Sequence, residues 1–137
     1  MSQTVVPYLT VKGANEAIEF YKKAFGATEN SRMPAQDGKR IMHADLAVKG
    51  GSLFLSDEFP EHDGASAAPA QGGKSSVAVA LALDAPADVD STYKQAVAAG
   101  AKSDLAPEDT FWNARFAMLT DPFGHRWMLN APLPEKK

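Results

Sequence analysis

Two stretches of the chain carry apolar residues with the period of an amphipathic helix. Over residues 14–25 the apolar positions recur at intervals of three and four, so they fall on one helical face. Gly26 follows, at the position where a left-handed residue ends many helices. Over residues 87–99 a second apolar face is followed in the same way by Gly100. The pattern therefore predicts two helices, each ended by a glycine.

Most of the remaining chain alternates between apolar and polar positions, which predicts eight strands. The alternation is strictest in the stretch "SSVAVALALD", and Asp37-Gly38 marks a hairpin turn between two other strands. The predicted strands cover residues 5–11, 27–33, 41–48, 52–56, 75–84, 101–106, 114–120 and 125–129. The predicted order is one strand, one helix and three strands, and this order occurs twice.

The two halves of the chain can be laid over each other. Gly26 and Gly100 are 74 residues apart, both are followed by alanine, and the same offset places Leu55 on Leu129. Chance similarity between two amphipathic helices is the alternative, but it does not account for the repeated strand order. An internal repeat of this size indicates two modules that share a cleft.

The repeat defines the predicted domain organisation. We predict a single domain over residues 1–137, made of modules at about 4–57 and 75–131. A connection over residues 58–74, rich in Gly, Ala, Pro and Ser, joins them and is expected to be flexible, as a lid or as a linker.

Composition narrows the functional classes. The formal net charge is -3 with no basic block, so neither nucleic acid nor an anionic membrane is expected as a partner. The absence of cysteine excludes disulfides, thiolate zinc sites and cysteine nucleophiles. No apolar run approaches the roughly 20 residues of a membrane helix, and residues 1–8 lack the features of a signal peptide. The expected location is the cytoplasm.

Four segments at module spacing carry a resemblance to a known family: "PYLTVKGANEAIEFYKKAFGA", "MHADLAVKGGSLFLSDE", "DVDSTYKQAVAAGA" and "FWNARFAMLTDPFGHRW". Together they resemble the glyoxalase/bleomycin-resistance, or vicinal oxygen chelate, superfamily, and more narrowly its PhnB-like branch. The resemblance implies an α+β fold of two βαβββ modules, whose curved mixed sheets enclose a cleft, and a homodimer. It also implies that metalloenzyme members hold a divalent metal. Each module supplies two ligands to it, one from its first strand and one from its fourth strand.

The four metal-ligand positions of the resembling family fall on residues that cannot hold a hard divalent metal. They are occupied by Val6, Phe54, Ala78 and Met128. A thioether is a soft, weak ligand, and the other three side chains offer no donor atom. We therefore expect no metal and no other cofactor. A divalent metal anchored on His43 and Asp45, two residues apart on one strand face, remains the alternative.

Strand parity predicts which side chains face the cleft. In the third predicted strand, Ile41, His43 and Asp45 face the cleft and Met42 packs on the helix. The predicted ligand-binding residues of the cleft are Tyr8, His43, Asp45, Phe54, Trp112, Arg115, Arg126 and Met128.

The 74-residue offset extends this prediction to the second module, where Arg115, Ala117 and Leu119 share the cleft parity. Arg115 and Arg126 are candidate clamps for a carboxylate or phosphate. Trp112 packs either at the cleft mouth or at the edge of the core. Asp121 is predicted to cap the turn that follows it.

Three functions stay open at this point. The first is a metal-free protein that binds a small aromatic or acidic molecule in the cleft. The second is a glyoxalase- or dioxygenase-type enzyme on a small oxygenated substrate, with His43 as acid or base or with an atypical divalent metal. The third is a dimeric scaffold with a vestigial cleft.

Overall fold

The computed structural model describes residues 3–62, 67–70 and 72–134, and it confirms two successive βαβββ modules. The first module consists of β1 (Tyr8–Val11), α1 (Ala14–Phe25), β2 (Thr28–Pro34), β3 (Ile41–Val48) and β4 (Gly51–Asp57). The second consists of β5 (Ala78–Ala82), α2 (Pro86–Ala99), β6 (Lys102–Asp109), β7 (Ala114–Thr120) and β8 (Arg126–Pro132). A short 3-10 turn at Pro60–His62 lies between them, and part of the predicted connection lies outside the described residues.

Each module forms its own four-stranded mixed sheet, with the strand orders β1-β4-β3-β2 and β5-β8-β7-β6. The first strand of each module pairs in parallel with the last, and the other pairs are antiparallel. The two sheets share no hydrogen-bonded pair of described strands, so they do not close into one barrel. The predicted α+β class is therefore confirmed. No helix in the described part of the chain has the length and apolar character needed to cross a membrane.

The two modules share one hydrophobic core. Helices α1 and α2 pack against each other, and most buried apolar residues of both sheets belong to a single cluster. Trp127 of β8 is fully buried, and its ring centroid lies 4.4 Å from that of Phe25 and 5.4 Å from that of Tyr21, both on α1. Burial of these large rings contributes on the order of 2 kcal/mol each, so the modules stabilise one another.

Helix α1 begins without a capping residue of its own. Gly13 and Ala14 stand at its start, and their amide nitrogens both donate to Oδ1 of Asp57 at 2.9 Å. The other oxygen of Asp57 accepts a hydrogen bond from the Ile41 amide at 2.7 Å. This buried carboxylate therefore ties the helix to β3 and β4, in the role usually taken by a local Ser, Thr, Asp or Asn.

One face of each sheet packs on the shared core and the other remains open. In β1, Leu9 and Val11 are buried, whereas Tyr8 is 53% exposed. In β8, Trp127 and Leu129 are fully buried, and Met128 between them is only partly covered. We call the solvent-facing sides of the two sheets the first and second open faces.

Candidate functional site

The first open face carries a compact group of rings. The ring of His43 on β3 lies between Tyr8 on β1 and Phe54 on β4, with centroid separations of 5.4 and 5.0 Å. Tyr8 and Phe54 are register partners in the parallel pair and meet edge to face at 6.1 Å. The predicted grouping of these three residues on one face is thus observed. Such a group offers a flat apolar surface with two polar tips.

The polar tips of this group are connected. The Tyr8 hydroxyl lies 3.0 Å from Nδ1 of His43, and which atom donates depends on the histidine tautomer. Among the described residues, Nε2 of His43 has no hydrogen-bond partner. The imidazole is therefore oriented through one nitrogen, and the second is available to a bound molecule.

Asp45 lies two residues beyond His43 on the same open face. In the strand register it stands between Phe54 of β4 and Ser31 of β2. No hydrogen bond joins it to His43 within the described chain, so it does not orient the imidazole. Its Oδ1 atom is buried and has no partner among the described residues. A buried carboxylate oxygen without a donor is costly, and this atom is a natural acceptor for a ligand donor.

The start of β3 departs from simple alternation. Met33 of β2 pairs with His43, but the next residue, Pro34, pairs with Ile41, so Met42 is an extra residue in β3. Ile41 is consequently buried in the core at 3% exposure, and Met42 is 47% exposed. The predicted faces of these two residues were wrong because a bulge shifts the parity. Met42 lies with Tyr8 along a shallow pocket of the first open face.

The second open face is lined by small and flexible side chains. Ala78, Ala80 and Ala82 of β5 pair in register with Arg126, Met128 and Asn130 of β8. Across the sheet, Met118 of β7 is the register partner of Met128. The predicted positions of Arg126 and Met128 on this face are observed. The alanine row leaves space beside the thioethers, and one guanidinium stands at its end.

Arg115 lies on the other side of the sheet. Its guanidinium donates to Oδ1 of Asp90 on α2 at 2.9 Å and to Asp109 at 3.1 Å, and the Asp90 carboxylate raises its pKa. Ala117 and Leu119 share its parity and are fully buried in the core. The predicted cleft positions of these three residues were therefore wrong.

The cause is a turn of different length. Ala44 pairs with Leu55, eleven residues later, whereas Ala117 pairs with Leu129, twelve residues later. The extra residue in the turn between β7 and β8 changes the module offset from 74 to 73 along β7, and a slip of one residue exchanges the faces of a strand.

Phe116 and Met118 take the places on the second open face that were assigned to their neighbours. Phe116 pairs with Asn130 in register, and its ring lies 5.7 Å from that of Trp112. Trp112 is 53% exposed at the hairpin tip and is not part of the core cluster, so it does not seal the edge of the core. The missed signal was the length of the turn at residues 121–125.

Asp121 does more than cap the turn that follows it. Its Oδ1 accepts hydrogen bonds from the Phe123 and His125 amides, as predicted for a turn cap. Its Oδ2 accepts from the Tyr21 hydroxyl at 2.6 Å and from Nε1 of Trp127 at 2.9 Å. Burial first, and then the Asp121 carboxylate, raise the pKa of Tyr21 well above 10.0. The residue is a structural link between α1 and β8.

The usual metal positions of the resembling superfamily present no ligand set. Phe54 lies on β4, Met128 on β8 and Ala78 on β5, whereas Val6 precedes β1. Within residues 3–62, 67–70 and 72–134, no group of three or more His, Asp or Glu side chains is placed to hold a metal ion. At these four positions the side chains present in the structure do not fit a hard divalent metal.

Comparison with known proteins places the chain in a family. Residues 3–129 match the model of the glyoxalase/bleomycin resistance protein/dioxygenase superfamily. The chain is 40% identical over 130 residues to the uncharacterized protein Mb0911c of Mycobacterium bovis, covering 94% of this chain and 83% of that protein.

Solved structures of other proteins have a similar fold. Protein PA1353 of Pseudomonas aeruginosa is 31% identical, with a TM-score of 0.72 over 97% of this chain and 100% of that one. The PhnB protein of Bacillus cereus, 18% identical, has a TM-score of 0.70 over 94% of this chain and 99% of that one, a likeness of fold alone.

Proposed function

The chain belongs to the glyoxalase/bleomycin resistance protein/dioxygenase superfamily, and we propose that it is a PhnB-like member that binds a small aromatic or acidic molecule without a metal. The observation that carries the proposal is the ring group of Tyr8, His43 and Phe54 on the first open face. Within this group, Phe54 lies at the fourth-strand position where the family resemblance places a metal ligand. A stacking surface has replaced a coordinating one.

The second open face complements the first. Its alanines leave room for a ring, Met118 and Met128 adapt to the shape of an apolar body, and Arg126 suits a carboxylate. We propose that two copies form a homodimer in which the first open face of one copy lies opposite the second open face of its partner. Apolar side chains on these faces support this, since Tyr8, Met42 and Trp112 are each about half exposed.

Metal content is the first measurement. We expect elemental mass spectrometry of the untagged protein to find less than about a tenth of an equivalent of any transition metal, before and after chelator, because the donor set is absent. A stoichiometric metal that survives dialysis would contradict the metal-free proposal. It would point to a site anchored on His43 and Asp45.

Ligand binding is tested by calorimetry with a panel of small aromatic carboxylates and their uncharged amides. We expect the carboxylates to bind more tightly than the amides, and Phe54→Ala to weaken binding at least tenfold because stacking area is lost. Arg126→Ala should remove the preference for the carboxylate. Val97→Ala, on the exposed side of α2, is the matched control. Equal binding by wild type and Phe54→Ala would contradict the proposed site.

A metal-independent enzyme is the second candidate, and one observation favours it. Tyr8 orients His43 by a hydrogen bond at 3.0 Å, the arrangement that a general acid or base requires. If His43 transfers a proton, His43→Gln abolishes turnover of a small oxygenated substrate, and Tyr8→Phe lowers kcat more than it raises KM. If the protein binds such a substrate but does not turn it over, the result contradicts the enzyme function and supports the binding function.

A dimeric scaffold with a vestigial cleft is the remaining candidate. It requires Phe54, Met128 and Trp112 to fill the cleft in the assembly. Within one chain the rings of Phe54 and Trp112 belong to separate groups. A dimer that binds no member of the ligand panel would support the scaffold function.

The cysteine-free composition is in line with the proposed cytoplasmic location.

A further inference from the structure

A cavity of about 480 Å³ lies where the segment before β5 crosses the turn between β7 and β8. Its walls come from residues 68–70 and 72–74, from residues 120–124 at the turn, and from Lys12, Gly100 and Lys102. None of its lining residues belongs to the ring group of the first open face or to the alanine row of the second. The cavity is therefore separate from the proposed cleft.

Three lysines from three parts of the fold line this cavity. Lys12 follows β1, Lys74 precedes β5, and Lys102 begins β6. Lys74 is paired with Asp104 at 2.7 Å, and Lys12 reaches Glu58 only at 3.9 Å. Lys102 makes no ion pair within the described chain. The Lys102 ammonium therefore has no carboxylate partner within the described chain. The Lys12 ammonium keeps its hydrogen-bond donors at the cavity, because 3.9 Å is beyond hydrogen-bond distance.

The carboxylate of Asp121, which lies in the cavity wall, already accepts hydrogen bonds from other residues. Asp121 is 4% exposed, and its two oxygens accept four hydrogen bonds from Tyr21, Phe123, His125 and Trp127. Its carboxylate oxygens thus face interior donors, and no ion pair joins Asp121 to a lysine within the described chain. Pro69, Pro122 and Phe123 add apolar wall beside the charges.

The close approach of the two chain segments maintains the cavity. Gly124 has a φ of +89°, and a Cβ at this position would lie 2.7 Å from Cβ of Pro69 and 3.0 Å from the carbonyl oxygen of Gly73. The Ser75 amide donates to the Gly124 carbonyl at 2.8 Å. The segment is therefore seated directly on the turn, and the cavity opens beside this contact.

From this arrangement we infer that the cavity is a second binding site, for a small organic anion with an apolar body. The anionic group, a carboxylate or sulfonate, accepts hydrogen bonds from Lys12 and Lys102. The apolar body lies against Phe123 and the two prolines. Charge-assisted hydrogen bonds and apolar contact are together the usual basis of such recognition.

The test uses a matched pair of fluorescent probes, 8-anilinonaphthalene-1-sulfonate and its uncharged analogue N-phenyl-1-naphthylamine. The intact protein is expected to bind the sulfonate at least tenfold more tightly than the amine. In the Lys12→Ala/Lys102→Ala double variant this preference is lost, because the sulfonate no longer has its two cationic donors. The affinity for the uncharged amine is unchanged.

Two further variants distinguish this site from a general effect of net charge and from binding at the first open face. Lys94→Ala removes an exposed lysine of α2 and leaves the preference intact, so net charge alone is not the cause. Phe54→Ala reports on the first open face. The inference is overturned if the wild type shows no saturable sulfonate binding up to about 1 mM. It is also overturned if the double variant keeps the preference, or if Phe54→Ala removes sulfonate binding.

Discussion

At the scale of single residues, two buried carboxylates organise this fold. Asp57 caps α1 from the end of β4, and Asp121 joins Tyr21 of α1 to Trp127 of β8. The sequence predicted that Asp121 caps the turn that follows it, because its partners in that turn lie within four residues. The tyrosine partner is 100 residues away, and no local pattern identifies such a bond.

Removal of the Asp121 side chain should therefore be strongly destabilising. Asp121→Ala leaves a buried hydroxyl, an indole N–H and two amides without their acceptor, and we expect a loss of at least about 3 kcal/mol in the free energy of unfolding. Asp121→Asn keeps one acceptor oxygen and should cost about half as much. Urea unfolding measures both.

The control for this prediction is Asp109→Ala. Asp109 is an exposed partner of Arg115, and its loss should cost less than about 1 kcal/mol. Equal costs for Asp109→Ala and Asp121→Ala would show that burial and multiple hydrogen bonds at Asp121 add nothing.

The raised pKa of Tyr21 predicts a specific loss of stability at alkaline pH. The phenol ionises near pH 10.0 in the unfolded chain but stays protonated above that pH in the folded chain. Its contribution is therefore fully present below pH 10.0 and is lost as the pH rises towards the folded-state pKa. Unfolding of wild type and Tyr21→Phe from about pH 8 to 11 should show the difference between them shrink above about pH 10. A constant difference would contradict the linkage.

At the scale of elements, periodicity predicted the type and order of the two α-helices and eight strands of the described chain, but it assigned some faces wrongly. Helix α1 and strands β3 and β7 have their predicted bounds. Each of the two errors comes from a separate inserted residue. The error at Met42 comes from a bulge in β3, and the error at Arg115 comes from the longer turn between β7 and β8. Such an insertion preserves the alternation on either side of it, so hydropathy alone does not show it.

The contact between the segment before β5 and the turn after β7 can be tested at Gly124. Gly124→Ala introduces both a strained positive φ and a clash with Pro69, and we expect a loss of about 2–4 kcal/mol. Gly38→Ala is the matched control, since its φ is +69° and an added Cβ meets nothing within 4 Å. It should cost only about 1 kcal/mol. Urea unfolding that finds equal costs would argue against the close approach.

At the scale of the whole molecule, the superfamily, the fold class and the repeat were predictable because they rest on segments spread along the chain. Of the predicted site residues, Tyr8, His43, Asp45, Phe54, Trp112, Arg126 and Met128 lie on or beside the open faces, and Arg115 does not. The shared core explains why these faces remain open. Trp127 and α1 hold the two sheets together by their inner sides, so each chain presents two separate half-surfaces.

Two separate half-surfaces predict that assembly and binding are coupled. If the open faces of two copies meet, sedimentation should find a particle of about 29 kDa, twice the 14.6 kDa of one chain. Met118→Glu/Met128→Glu places two charges on the second open face and should give a folded monomer with the same circular dichroism. Because each ligand site then lacks half of its wall, this variant should also lose ligand binding. Val97→Glu, on the exposed side of α2, should remain dimeric. A double variant that stays dimeric would place the contact between copies elsewhere, and each open face would then have to bind its ligand alone.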